Sequence, residues 1–163
     1  MGGNMTITSL ETLFDQELSD IYSAEQQIID ALPKLRDAAT GQQLKDAFDT
    51  HLEETRGHVE RLNKLQDLTS EVSLSKSVEC KALKGLVAEA QELIDSSEQG
   101  DALDAGLIGA AQKVEHYEIA SYGTLCALAQ KLGYDKAADL LAETLQEEKN
   151  TDIKLTEIAE ATQ

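Results

Sequence analysis

Hydrophobic positions recur along this chain at intervals of three and four residues, the repeat of a helix with one buried face. The first run comprises Leu10, Leu13, Phe14, Leu18, Ile21, Ala24, Ile28 and Leu32. Thr8-Ser9-Leu10-Glu11 reads as its capping box, with Thr8 as N-cap and Glu11 three residues on. Pro33 has no amide hydrogen and is expected to kink or end this helix. Thr40-Gly41 punctuates a turn. A second helix follows over about 42–67 on the stripe Leu44, Phe48, Leu52, Thr55, Val59 and Leu62. The Ser-rich stretch LTSEVSLSKS (68–77) reads as a loop, and a shorter amphipathic helix is predicted over roughly 80–96 through Leu83, Leu86, Val87, Ala90 and Leu93. Asp101 is expected to cap a third long helix that reaches Leu132 and stops at Gly133. A fourth long helix over about 135–161 carries Leu140, Leu141, Leu145, Ile153, Leu155 and Ile158. No strand alternation occurs. The expected fold is all-α: a four-helix bundle with a long crossover and one additional short helix. It is expected to be a single domain over 1–163, with residues 1–5 outside the ordered bundle.

Composition sharpens this picture. With one Pro, no Trp and two Phe, the helices must pack through Leu, Ile and Ala. A net charge of -17 removes nucleic acid as a partner, since phosphate binding needs a basic patch. An anionic membrane surface is disfavoured for the same reason. No 18-residue apolar run and no signal-peptide core are present, so a soluble cytoplasmic protein is expected. Cys80 and Cys126 are too few for a disulfide framework, and Cys126 reads as a small core residue. The opening MGGNMT matches a myristoylation pattern, and Asn4-Met5-Thr6 a glycosylation sequon. Nothing else in the chain supports either.

Carboxylates break the apolar stripes at corresponding places. Glu25 lies one turn after Ile21 on the first helix, and Glu54 sits on the second between His51 and His58. The third carries Glu115 and Glu118, and the fourth carries Glu148, with Asp152 one turn on. The halves are also alike. YSAEQQI and EHYEIAS pair Glu25 with Glu118, while EETRGH and EEKNTD pair Glu54 with Glu148 and His58 with Asp152. Carboxylates converging in a bundle core lose hydration and repel one another, at a cost of several kcal/mol per uncompensated ion. They must be protonated, paired with bases or bound to cations. Lys113, Lys149 and Arg56 lie at the stripe edges and do not pair them.

The candidate metal ligands are therefore Glu25, His51, Glu54, Glu115, Glu118 and Glu148, with His58 and Asp152 as alternatives or supports. Either His shares a face with Glu54, so the imidazole stays undecided on spacing alone. Oxygen donors with one or two imidazoles suit iron or manganese, and bridging carboxylates would serve two metal ions. Glu53, Glu60, Glu143 and Glu147 read as a solvated face, although Glu147 is near enough to support a ligand. Tyr22, Tyr117 and Tyr122 read as core residues whose hydroxyls bond nearby carboxylates.

The segments DIYSAEQQI, AFDTHLEETRGHVERL, AAQKVEHYEIASYGTL and LLAETLQEEKNTDIKLTEIA resemble the YciE/YciF family of bacterial stress-associated proteins, within the ferritin-like superfamily. The resemblance runs from about residue 6 to 160. It implies a ferritin-like bundle, often a homodimer, with a di-metal centre by analogy with rubrerythrin and ferritin, and expression under stress. It implies no settled reaction. The recurring HLxET segment favours His51 over His58 as the working imidazole. The chain departs from the superfamily's Glu-x-x-His pattern: Arg56 stands where that spacing from Glu53 would put a His, and the fourth helix carries none.

Three functions follow as expectations: a di-iron or di-manganese protein reacting with peroxide or oxygen, a metal-sequestering protein without turnover, and a structural stress protein. In the first, Glu54 and Glu148 bridge the ions and Glu25 and Glu118 are terminal ligands, with His51 and Glu115 completing the set. The chain stops at Gln163 without the further helix of a mineral-storing cage, so cage storage is not expected.

Overall fold

The structure is a computed structural model and describes residues 6–161; the expectations for residues 1–5 lie outside the described residues. It contains α1 (Leu10–Ala38), α2 (Gln42–Leu68), α3 (Lys81–Asp95), α4 (Asp101–Leu132) and α5 (Asp135–Ala161). No strand occurs among the described residues. Short turns make α1–α2 and α4–α5 antiparallel pairs, α1 also packs on α4, and α2 on α5. The crossover from α2 to α4 carries α3 across the α1–α4 side.

Local chemistry corrects several sequence-based boundaries. The N-cap of α1 is Ser9, not Thr8: its side chain accepts from the Thr12 amide while the Thr12 hydroxyl accepts from the Ser9 amide. The helix continues five residues beyond Pro33 to Ala38, because Leu35 and the turn before it are buried and outweigh one missing hydrogen bond. Gly100 takes the cap position of α4, and Asp101 is its first helical residue. Gly133 ends α4 with φ 74°, a left-handed conformation that favours glycine. Ile153, expected on the buried stripe of α5, is 57% exposed, since Glu148 and Leu155 define a face it does not share.

Two polar devices set the positions of the helices. The Asp104 carboxylate accepts from the Thr40 and Gly41 amides at 2.8 and 2.7 Å. This clasp brings the starts of α2 and α4 to the same end, so those two helices run in one direction. Asp15, Ser19, Ser23 and Gln27 recur every fourth residue and form a polar strip along α1. The first three accept from the amides of Ser73, Ser75 and Cys80, and Gln27 donates to the Cys80 carbonyl. The strip thus pins the loop before α3 and supplies partners for backbone groups that would otherwise be stranded. Gly106 permits the close α3–α4 approach, because a Cβ there would lie 2.6 Å from a Leu93 methyl.

Candidate metal centre

The inward face of α2 carries His51, Thr55, His58 and Leu62, a repeat of four, three and four that keeps both imidazoles in the core. Facing them are Glu25 on α1, Glu115 and Glu118 on α4, and Glu148 on α5, all buried. These residues form two groups whose potential donor atoms lie within 4.8 Å of one another: His51, Glu115, Glu118 and Glu148, and Glu25, His58 and Glu148. Glu148 belongs to both.

The contacts inside the groups are short but poorly directed for hydrogen bonds. His51 Nε2 is 2.8 Å from Glu115 Oε1, and His58 Nδ1 is 3.0 Å from Glu148 Oε1 and 3.3 Å from Glu25 Oε1. Even so, both His51 nitrogens, His58 Nδ1, both oxygens of Glu118 and Glu148, and one oxygen each of Glu25 and Glu115 lack a hydrogen-bond partner. Buried polar atoms are rarely left this way. Donors bound to one ion at about 2.1 Å sit roughly 3 Å apart without aiming at each other, which is this arrangement. The residues present therefore fit a pair of ions sharing Glu148. One imidazole with two or three carboxylates per ion suits iron or manganese.

Electrostatics without a cation point the same way. Burial opposes protonation of His51, but Glu115 and its neighbours outweigh it and hold the imidazole well above its usual pKa. Burial likewise opposes the His58 charge, yet Glu148 and Glu25 raise its pKa to about 10. Burial pushes Glu115 and Glu118 well above the carboxylate range, with the Glu148 charge adding to it. Burial opposes ionisation of Glu148 too, but Glu115 and the two imidazoles hold it below the usual range. Protons thus occupy the place of metal charge.

Supporting contacts orient the rings. His58 Nε2 lies 2.8 Å from Glu147 Oε2, leaving Nδ1 to face the cluster. Arg61 grips both Glu147 oxygens at 2.7 Å and also reaches Glu143. Tyr122, fully buried, donates to Glu25 Oε1 at 2.5 Å, and Tyr117 donates to Asp20 at 2.6 Å. Tyr22 stands apart from these, beneath the Lys76 ammonium.

Of the residues expected from sequence, Glu25, His51, Glu115, Glu118 and Glu148 come together, and His58 joins them as a full member. Glu54 does not. Its side chain is 38% exposed, accepts from the Thr151 hydroxyl and lies 3.5 Å from His51 Nδ1. The helical phase explains it: Thr55, one step on, takes the inward direction. Asp152 is also outside the groups, at the partly exposed edge, 3.4 Å from His116 Nε2. The Arg61 clamp was not foreseen, although Arg61 follows His58 by three residues and Glu143 and Glu147 are four apart.

A family model described as "Domain of unknown function (DUF892)" matches residues 9–163. Protein YciF of Escherichia coli (strain K12) is 53% identical over 155 residues, covering 95% of this chain and 93% of the relative. The crystal structure of the E. coli stress protein YciF matches with TM-score 0.91 at 52% identity, over 94% of this chain and 96% of the other. YcfI from Rhodopseudomonas palustris, for which a structural role has been suggested, matches with TM-score 0.86 at 42% identity over 94% and 96%. Family coverage of nearly the whole chain and close agreement with a solved relative leave one assignment: the chain belongs to the DUF892 family, as a homologue of the stress protein YciF.

Proposed function

We propose that the buried cluster is a two-metal carboxylate centre, of iron or manganese, that reacts with peroxide or dioxygen during stress. One observation carries this reading: buried imidazole and carboxylate atoms converge without hydrogen-bond partners, in two groups sharing Glu148. The bound ions would supply the electrons and Lewis acidity of such a reaction. Glu148 would bridge; His51, Glu115 and Glu118 would hold one ion, and Glu25 and His58 the other. Glu147, anchored by Arg61, fixes the His58 ring so that Nδ1 faces inward, as a carboxylate behind a metal-bound imidazole does. Glu54 plays the weaker counterpart behind His51. Tyr122 holds Glu25 through its hydroxyl and closes that side of the centre to water.

The protons on Glu115 and Glu118 leave when an ion binds, so loading releases protons. We take the protein to act in the cytoplasm as a homodimer, for which the exposed Ile153 offers apolar contact area. A second reading, a metal-binding or structural stress protein without turnover, draws on the role suggested for YcfI.

Elemental analysis after anaerobic loading with ferrous or manganous ion tests the centre, with about two ions per chain expected. Zinc alone, or no metal, would remove it. Stopped-flow consumption of peroxide or oxygen by the loaded protein then separates turnover from sequestration, since a sequestering protein consumes neither catalytically.

A further inference from the structure

Beneath the crossover helix α3, a cavity of about 40 Å³ runs between α1, α3 and α4 to the metal cluster. Its wall is aliphatic, through Ala31, Leu86, Val87, Ala90, Ile94 and Val114. The exposed Lys34 and half-buried Gln91 line it as well, so one end meets solvent. The inner end is His51 and Glu115, where Glu115 Oε2 and both His51 nitrogens are buried without hydrogen-bond partners. An apolar passage leading to unsatisfied polar atoms has the make-up of a ligand pocket.

We propose that this cavity binds a small neutral molecule with a short alkyl chain and a hydroxylic head, an alkyl hydroperoxide or the corresponding alcohol. The wall excludes charged ligands, which would lose hydration there with nothing to replace it. The inner end demands a head that both donates and accepts, because a carboxylate oxygen and imidazole nitrogens stand side by side. An O–H group does both. Size sets the chain. At roughly 10–15 Å³ for each water-sized group, 40 Å³ holds about three, so a chain of two or three carbons fits and a fatty acyl chain does not. The choice of a hydroperoxide as natural ligand deepens the redox reading above and rests on it. The preference for a short chain does not.

The test uses the full chain stripped of metal by chelator, with ethanol through 1-hexanol as unreactive probes. Binding is read from NMR shifts of the Val87 and Ala90 methyl groups. Affinity should rise about fourfold with each methylene, as expected for burying one CH2, and level off beyond three or four carbons. Ala90→Leu should fill the cavity and weaken 1-propanol at least tenfold. Val87→Phe, on the half-buried face of α3, serves the same purpose if Ala90→Leu does not fold. A rise continuing through hexanol, or equal binding by the filled variants, would mean partition onto the surface and overturn the proposal. Ethyl hydroperoxide and its isostere 1-propanol then decide the head group. Tighter binding of the hydroperoxide assigns the peroxide, and equal or weaker binding removes that assignment. Metal content is measured separately. Probe binding that levels off in a protein that never takes up metal would leave the pocket standing and remove the redox reading.

Discussion

His58 and His51 project from one face of α2 and both rings are buried, but what stands behind them differs. Behind His58 is Glu147, gripped at both oxygens by Arg61, and across from it the fully buried Tyr122 holds Glu25. Behind His51 is the half-exposed Glu54, 3.5 Å away and tied only to Thr151, and beside the ring opens the aliphatic cavity under α3. One half of the centre is clamped and closed, the other loosely backed and open. Orientation of a metal-bound imidazole depends on its outer partner, so the closed half should hold its ion more tightly and the open half should meet incoming molecules.

The comparison breaks most completely at the residue both halves share. Glu148→Gln should take metal content from about two ions per chain to near zero by elemental analysis. Retention of both ions would remove Glu148 as a bridge. Next in size are the single imidazoles. His58→Ala and His51→Ala should each leave about one ion per chain, and the ion kept by His51→Ala should resist chelator longer. Equal chelation rates in the two variants would end the distinction between clamped and open halves.

The outer partners come third. Glu147→Gln should weaken one ion by about 10- to 100-fold, the range for loss of a partner behind a metal ligand. Glu54→Gln should weaken the other by less, because that carboxylate is partly solvated. Competition with a fluorescent chelator measures both, and a larger loss for Glu54→Gln would reverse the assignment.

The smallest and most general effect is on pH dependence. His58, raised from 6.5 to about 10, contributes stability that is complete below 6.5 and lost as pH climbs through 10. Glu115 and Glu118, also raised, favour the protonated fold and act in the same direction from 4.5 upward. Glu148, lowered, contributes stability present above 4.5 and lost only in stronger acid. Chelator-treated protein should therefore melt at a lower temperature at pH 9 than at pH 6, by thermal circular dichroism. The loaded protein should lose less over that range, because the ions replace those protons. Parallel curves with and without metal would mean that these groups do not exchange protons for metal.

Much of this was legible in the chain. Apolar spacing placed each helix within a residue or two, since a helix that buries one face must repeat every three to four positions. The same spacing singled out Glu25, Glu118 and Glu148, where carboxylates interrupt an apolar stripe. It misplaced Glu54, because a residue beside the stripe and one on it differ by a single 100° step. The internal repeat pairing Glu54 with Glu148, and His58 with Asp152, sharpened that error: the structure draws Glu148 and His58 inward and leaves the other two at the edge. His58 could not be separated from His51 by spacing, because both lie on the buried face.

By itself, then, the sequence determined the helices, their order, the acidic interior and the need for protons or cations to neutralise it. These follow from local periodicity and from the energetics of buried charge, which require no knowledge of neighbours. Tertiary structure alone decided the rest. The Arg61–Glu147 clamp joins residues 86 positions apart, and the strip Asp15–Ser19–Ser23–Gln27 pins a loop more than fifty residues away. The cavity exists only because α3 crosses over α1 and α4 before the chain returns. Such features depend on which faces meet, and a helical repeat fixes the direction of a side chain but not what stands opposite it.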